Sequence, residues 1–366
     1  MLNSAENITQ LSHREMLDIH RDYQQAAAIA SLVYVDDNMP GIRRYRKGKG
    51  FYFMRNKKRL DNKEEIARIR KLAIPPAWTE VWICPLSNGH LQATGKDLRK
   101  RKQYRYHPNW QEVRNETKFH RLYEFGKVLP RLRLLLEKDI TRKELCQEKV
   151  LATVISLMER TYIRIGSNDY EKMYGSYGLT TFKDNHVSIE GNALRFSFKG
   201  KKGVYHSISL KNKRLATIVR ACRDIPGKEL FQYYDADGQR HAIDSGMVNE
   251  YIRKATGGDY TSKDFRTWAG TLNILRSFRI IGQALTEAEK KKKVVEALDA
   301  VSMRLGNTRT VCRKYYVHPG IIRLYEADNL QKYLDQLNDI EEPDNRTDLT
   351  SEEKVLMKVL KQVQTA

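Results

Sequence analysis

At about 150 residues per domain, a chain of 366 residues is read as two domains with extensions, which excludes a mini-protein held together by staples. Its 66 lysines and arginines against 45 acids leave a formal charge of +21, a balance that selects a polyanionic partner, nucleic acid ahead of an acidic membrane surface. Cys84, Cys146, Cys222 and Cys312 stand far apart with no CxxC pair, and no apolar run is long enough to span a bilayer, which argues against a disulfide framework, a structural zinc site and a membrane protein. The opening Met1 to Glu6 has no basic segment ahead of an apolar one, so a soluble, non-secreted protein in a reducing compartment is expected.

Residues 1–40 hold two arginines against six acids, a net of −4, whereas residues 41–140 hold 26 bases against 10 acids, a net of +16. The polyanion therefore belongs against the second segment. Asp36-Asp37 runs straight into Asn38-Met39-Pro40-Gly41 and reads as turn chemistry rather than as a pair of metal ligands. From Tyr34 to His107 the pattern is strand-like: Phe51 to Met54, Glu80 to Cys84 and Leu91 to Thr94 are separated by Gly, Pro and Asn-Gly punctuation, with one helix over roughly Lys63 to Lys71. Two tracts, Arg43 to Gly50 and Arg99 to His107, interleave bases with tyrosines. In the second, which reads as a strand, lysine and arginine can neutralise phosphates while Gln103, Tyr104 and Tyr106 reach base edges or sugars. A solvated edge strand carries the same composition, so the tract alone does not decide.

After His107-Pro108 the periodicity turns helical through Phe119, Leu122, Tyr123, Leu132, Leu135 and Leu136, then Leu145, Leu151, Val154 and Met158, which places a domain boundary near residues 107–112. Inside this helical half, His186 to Ile189, Leu194 to Phe198 and Val204 to Ile208 are joined by Glu190-Gly191-Asn192 and by the glycine-lysine turn Lys199 to Gly203, predicting a small three-stranded sheet with a lysine at its tip. Helix resumes from about Ser262 to Phe278, and again after Thr286, whose spacing to Glu289 predicts a capping box. A second acidic stretch, from about Asp328 to Glu353, is expected to lie with the amino-terminal arm away from the polyanion.

No GxxxxGK[ST] loop, HExxH, GxSxG or EF-hand pattern occurs, which argues against ATP-driven or zinc-dependent chemistry. The residues of interest in the second half are scattered: Arg164, Lys201, Arg266, Asn307 and Tyr316. Singly each is ordinary in a chain with this many bases and 20 tyrosines. Their order and local contexts are not. The segment ending Gln103-Tyr104-Arg105-Tyr106, the Arg164-Ile165-Gly166 step with Tyr170 six residues after the arginine, the hairpin Gly200-Lys201, the run Lys263-Asp264-Phe265-Arg266-Thr267, and Gly306-Asn307 nine residues ahead of Tyr316 follow one another in a fixed sequence.

In that sequence the chain resembles the type IB DNA topoisomerases, in particular their short poxvirus-like and bacterial branch, from roughly Tyr34 to Tyr325. The resemblance implies an α+β fold: a small antiparallel β domain and a larger, mainly α catalytic domain with a three-stranded β element, closing on duplex DNA as a C-shaped clamp. It divides the chain into an acidic arm (1–33), a β-rich DNA-binding domain (34–107), the catalytic domain (108–327) and an acidic to mixed, partly helical tail (328–366). It implies Tyr316 as nucleophile, Arg164, Arg266 and Asn307 as phosphate ligands, Lys201 as proton donor, and Gln103, Tyr104, Tyr106 and Tyr170 as DNA contacts.

It further implies a monomer on duplex DNA, with no membrane and no cofactor or metal. The expected location is the nucleoid-containing cytoplasm for a bacterial source and the virion for a viral one. Asn307 stands where poxvirus relatives have His and so donates a hydrogen bond without becoming a cation; Ser167 stands where they have a base-reading Lys. Tyr315 is the rival nucleophile, set aside by the nine-residue spacing. A tyrosine site-specific recombinase uses an overlapping residue set but places His two or three residues before its second Arg, where this chain has Asp264 and Lys263. A non-catalytic DNA-packing protein would explain the charge alone.

Overall fold

A computed structural model describes residues 11–48, 50–98, 100–338 and 347–365, and the chain divides into two compact units, Met1–Arg121 and Leu122–Gln364. Lys49 and Arg99 of the basic tracts, residues 1–10 of the arm and residues 339–346 of the tail lie outside the described residues.

The first unit is built on a six-stranded antiparallel sheet of order β3-β2-β1-β4-β5-β6, with β1 Ile42–Lys47, β2 Gly50–Arg55, β3 Lys58–Arg59, β4 Thr79–Ile83, β5 Leu91–Lys96 and β6 Lys102–Tyr106. Helix α1 spans His13–Arg21, α2 Tyr23–Ile29 and α3 Lys63–Lys71. The last matches its predicted span because Asn62 accepts the Glu65 N–H at its start while acids fill its first turn and bases its last. Ile69 of α3 packs with Ile42, Phe53, Val81, Ile83 and Ala93 of the sheet. Residues 11–33 of the acidic arm are folded onto the first unit's core: Ser12 and Glu15 form a capping box, and Met16, Ile19, Ala26 and Ala27 form a small core with Trp110 and Val113. Asp36 turns the chain by accepting the Asn38 N–H (2.7 Å), while Asp37 accepts from Thr94 Oγ1 (2.8 Å) and Lys102 Nζ (2.9 Å).

Helix α4, Pro108–Ile140, runs through the division between units. The domain boundary expected near residues 107–112 is where this helix starts; the division itself falls after Arg121, because Trp110 and Val113 are consumed by the first unit's core.

The second unit has one large core. At its centre lie α5 (Gln147–Thr161) and α9 (Ser262–Ile281), both buried along most of their length. Around them stand α6 (Asn168–Tyr174), α7 (Lys213–Arg223), α8 (Ser245–Thr256), α10 (Glu287–Leu305), α11 (Arg309–Tyr315), α12 (Pro319–Glu326), α13 (Gln331–Asn338) and α14 (Ser351–Thr365). The predicted three-stranded sheet is present as β7 Val187–Glu190, β8 Ala193–Lys199 and β9 Tyr205–Lys211, and a short hairpin pairs β10 Gln232–Tyr234 with β11 Arg240–Ala242. Thr286 accepts the Glu289 N–H, but the Glu289 carboxylate takes the N–H of Leu285 instead of Thr286, so half of the predicted capping box forms.

The carboxy-terminal segment is no appendage. Val355, Leu356, Val359 and Leu360 of α14 are buried in the main core, and Glu353 accepts hydrogen bonds from Arg133 (2.7 and 2.8 Å) and from Trp268 Nε1 (2.8 Å).

Candidate active site

Helix α5 ends on Tyr162 in the left-handed conformation (φ 58°), which turns the chain into an extended segment carrying Arg164. That segment is pinned by Leu179 and Thr180, whose N–H groups donate to the carbonyls of Arg164 (2.9 Å) and Ile165 (2.6 Å). Arg164 is thereby fixed at its backbone, and its Nη2 donates to Asn307 Oδ1 (2.6 Å) and to the Gly306 carbonyl (3.1 Å).

Arg266 lies near the start of α9, whose first turn is locked by a capping box between Thr261 and Asp264. Its Nη1 donates to the carbonyl of Tyr162 (2.6 Å) and its Nη2 to that of Leu305 (2.6 Å). These carbonyls belong to the carboxy-terminal ends of α5 and α10, where backbone acceptors lack helical partners and the dipole is negative, so a buried cation is held by two helix ends at once.

Helix α10 stops at Gly306 (φ 57°), and the Asn307 N–H reaches back to the Ser302 carbonyl (3.0 Å), a glycine-dependent stop that swings Asn307 under α10 before Thr308 caps α11. Arg164 can only donate, so the Asn307 amide oxygen must face it; the Nδ2 group is then a buried donor with no hydrogen-bond partner among the described residues.

Tyr316 closes α11, its N–H bonded to the Cys312 carbonyl (2.9 Å). Thr271 Oγ1 donates to the Tyr316 carbonyl (3.2 Å), and Gly270 lies so close to that carbonyl that a Cβ would collide with it. One helix therefore carries Arg266 and, a turn later, grips the backbone of Tyr316. The guanidinium carbon of Arg266 is 5.3 Å from the centre of the Tyr316 ring. Lys201 sits on a short turn between β8 and β9, its Nζ 5.4 Å above the ring of Tyr170 on α6.

Arg164, Lys201, Arg266 and Tyr316 converge on a cleft of about 260 Å³ also lined by Tyr170 and Lys263, among others; Asn307 is not in its lining and joins the site through its bond to Arg164. Tyr315 is not in its lining; it is 37% exposed, beneath Lys314. Burial pushes Arg164 down to about 10, helped by the charge of Arg266. Burial likewise lowers Arg266, with the Tyr316 phenol pulling the other way. Two guanidiniums are thus held in low dielectric, close enough to repel, beside the buried Asn307 Nδ2, which has no hydrogen-bond partner among the described residues. An anion would relieve both penalties.

The sequence of residues 107–343 matches the family described as the catalytic core of eukaryotic DNA topoisomerase I, and residues 50–97 match the N-terminal domain of bacterial DNA topoisomerase IB. The chain is 30% identical over 310 residues to the DNA topoisomerase 1B of Acanthamoeba polyphaga mimivirus, covering 82% of this chain and 92% of the relative. It belongs to the type IB DNA topoisomerases. The DNA topoisomerase 1B of Vaccinia virus (strain Copenhagen) and the DNA topoisomerase I of Monkeypox virus are each 22% identical over 240 residues, covering 64% of this chain and 72% of the relative.

The residues singled out in the first unit of this topoisomerase are not all brought together. Alternation along β6 sets Lys102, Tyr104 and Tyr106 on one face, where the two tyrosine rings stack at 5.8 Å and Lys102 Nζ lies 5.7 Å from the Tyr104 ring. Gln103 falls on the other face and donates to Asp97 (3.0 Å). In the second unit, sequence reasoning passed over Lys263 and His206. Lys263 lines the cleft three residues before Arg266, a helical spacing that was visible in the sequence. His206 is one of seven consecutive strand residues in β9, with no local signal to single it out.

Proposed function

We propose that this topoisomerase relaxes supercoiled duplex DNA by transesterification at the site formed by Arg164, Lys201, Arg266, Asn307 and Tyr316. The Tyr316 oxygen attacks the scissile phosphorus in line with the 5′-oxygen. The Oη–P bond forms as the P–O5′ bond breaks, the phenolic proton passes to water, and Lys201 supplies a proton to the leaving oxygen. The strand end is left as a 3′-phosphotyrosyl ester, the duplex rotates, and the 5′-hydroxyl reverses the exchange. One phosphodiester replaces another, so the cycle needs no external energy source. The reading takes the enzyme to act as a monomer that clamps duplex DNA, its +16 segment against the phosphates.

The observation that carries the reading is a pair of buried guanidiniums, Arg266 against the ring of Tyr316 and Arg164 against Asn307, whose Nδ2 is a buried donor with no hydrogen-bond partner among the described residues. Fixed donors of this kind are what a site needs where negative charge gathers only in the transition state, because they do not reorganise as the reaction proceeds. A plasmid-relaxation assay without ATP or magnesium tests it. Wild type is expected to relax the plasmid; Tyr316→Phe is expected to bind DNA but form no adduct, and peptide mapping of the wild-type adduct to find the 3′-phosphate on Tyr316. Relaxation surviving in Tyr316→Phe, or an adduct on Tyr315, would overturn the assignment.

A further inference from the structure

His206 stands on β9 opposite Phe198, and the two rings stack at 5.1 Å with 26° between their planes. Its imidazole occupies space that two glycines leave open. A Cβ on Gly200 would lie 2.7 Å from both Cδ2 and Nε2 of the ring, and a Cβ on Gly306 would run into its Cε1. Gly200 immediately precedes Lys201 and Gly306 immediately precedes Asn307. A single ring thus separates the hairpin turn bearing the proton donor from the helix stop bearing a phosphate ligand. The charged groups facing it are Arg164 and Arg266, which together with burial as the larger cause depress its pKa and keep it neutral at physiological pH. Both flanking glycines are at sites of close approach, so the fit is built from both sides.

Resting on the reading above, we propose that His206 is a positioning residue for strand cleavage: packed between Gly200 and Gly306, its ring fixes the Lys201 hairpin at the distance from the Asn307 turn that lets Lys201 reach the leaving 5′-oxygen. Among the described residues the contact of the Lys201 ammonium is the soft one with the Tyr170 ring, so the hairpin's placement depends on what stands behind it. Displacement of a reacting group by about 1 Å costs on the order of 10²-fold in rate.

The test is a mutant cycle in single-turnover cleavage of a duplex oligonucleotide, using His206→Ala, Lys201→Ala and the double variant. Because His206 acts through Lys201, His206→Ala is expected to be slower than wild type by about 10- to 10²-fold, and the double variant no slower than Lys201→Ala alone. His206→Phe, which refills the gap with a neutral ring that still stacks on Phe198, should recover most of the cleavage rate. Multiplicative losses in the double variant, or wild-type cleavage by His206→Ala, would overturn the proposal. Thermal melting and DNA binding of His206→Ala separate misfolding, and the cycle is run from His206→Leu, smaller than the ring but apolar, if the alanine variant does not fold. A second substrate, with sulfur at the bridging 5′ position, isolates the proton-donor reading, since a thiolate leaves without a proton. Rescue of both Lys201→Ala and His206→Ala by sulfur is expected. Failure of sulfur to rescue Lys201→Ala while the cycle stays non-additive would refute the proton-donor role and leave the positioning role standing.

Discussion

Asn307 makes two separable contributions: its oxygen fixes Arg164, and its Nδ2 is a buried donor with no hydrogen-bond partner among the described residues. Asn307→Ala removes both and is expected to slow cleavage by about 10² to 10³-fold, the cost of deleting one preorganised oxyanion donor, while DNA affinity changes little. Single-turnover cleavage beside a binding isotherm checks it; a loss confined to affinity would show that the side chain holds ground-state DNA only. His206 also gives the second unit an acid limb. Burial, then Arg164 and Arg266, hold its folded pKa below the ordinary 6.5, so the unfolded chain takes up the proton first. The stability tied to its neutral form is complete above pH 6.5 and is lost as pH falls through the folded value. His186, also depressed chiefly by burial, adds to the same limb. Urea midpoints measured from pH 7 to 5 should therefore fall less steeply in His206→Phe than in wild type; an unchanged slope would place the titrating group elsewhere.

In the sequence, residues 328–366 read as an acidic to mixed, partly helical tail, and that charge reading masks the apolar stripe of α14 at Val355, Leu356, Val359 and Leu360, whose spacing is helical. The structure makes this helix a wall of the catalytic unit. Glu353 is 3% exposed and Arg133 7%, and Trp268, two residues beyond Arg266, donates to the same carboxylate. Burial alone would raise the Glu353 pKa; the hydrogen bonds and charge of Arg133 outweigh it and bring the group below its ordinary 4.5. Glu353→Ala leaves the Arg133 charge buried with Glu159 as its remaining carboxylate partner, and removal of one partner of a buried ion pair is expected to destabilise the protein by about 3 to 5 kcal/mol. The sign with pH follows from the lowered value: this stabilisation is present above pH 4.5 and is lost as pH falls through the folded pKa. Chemical unfolding at neutral pH is the check; a change under about 1 kcal/mol would show the network to be solvent-compensated.

Across the whole molecule, charge is the long-range signal. With a net of +16 concentrated in residues 41–140, log K for duplex DNA should fall by about 0.9 per log unit of salt for each phosphate neutralised. A slope near zero would be incompatible with a clamp. Tyr104 is 47% exposed and Tyr106 37%, on the solvent-facing side of β6, so replacing both with Ala should weaken binding with little loss of thermal stability. A large drop in melting temperature would make them packing residues.

What the sequence determined by itself was whatever local chemistry encodes: strand and helix spans set by alternation, caps and glycines, the uneven charge, and the order of Arg164, Lys201, Arg266, Asn307 and Tyr316 along the chain. The resemblance to the family, through the nine-residue spacing from Asn307, selects Tyr316 over Tyr315. Only the tertiary structure decided which groups are satisfied. No local pattern reveals that Arg266 spends its two terminal nitrogens on the ends of α5 and α10, or that Arg164 consumes the oxygen of Asn307 and leaves its nitrogen spare. The same holds for His206 against Gly306 and for Glu353 with Arg133, pairs 100 and 220 residues apart in the chain. Hydrogen-bond satisfaction and close packing are properties of pairs distant in sequence, fixed only when helix ends and sheet are brought together.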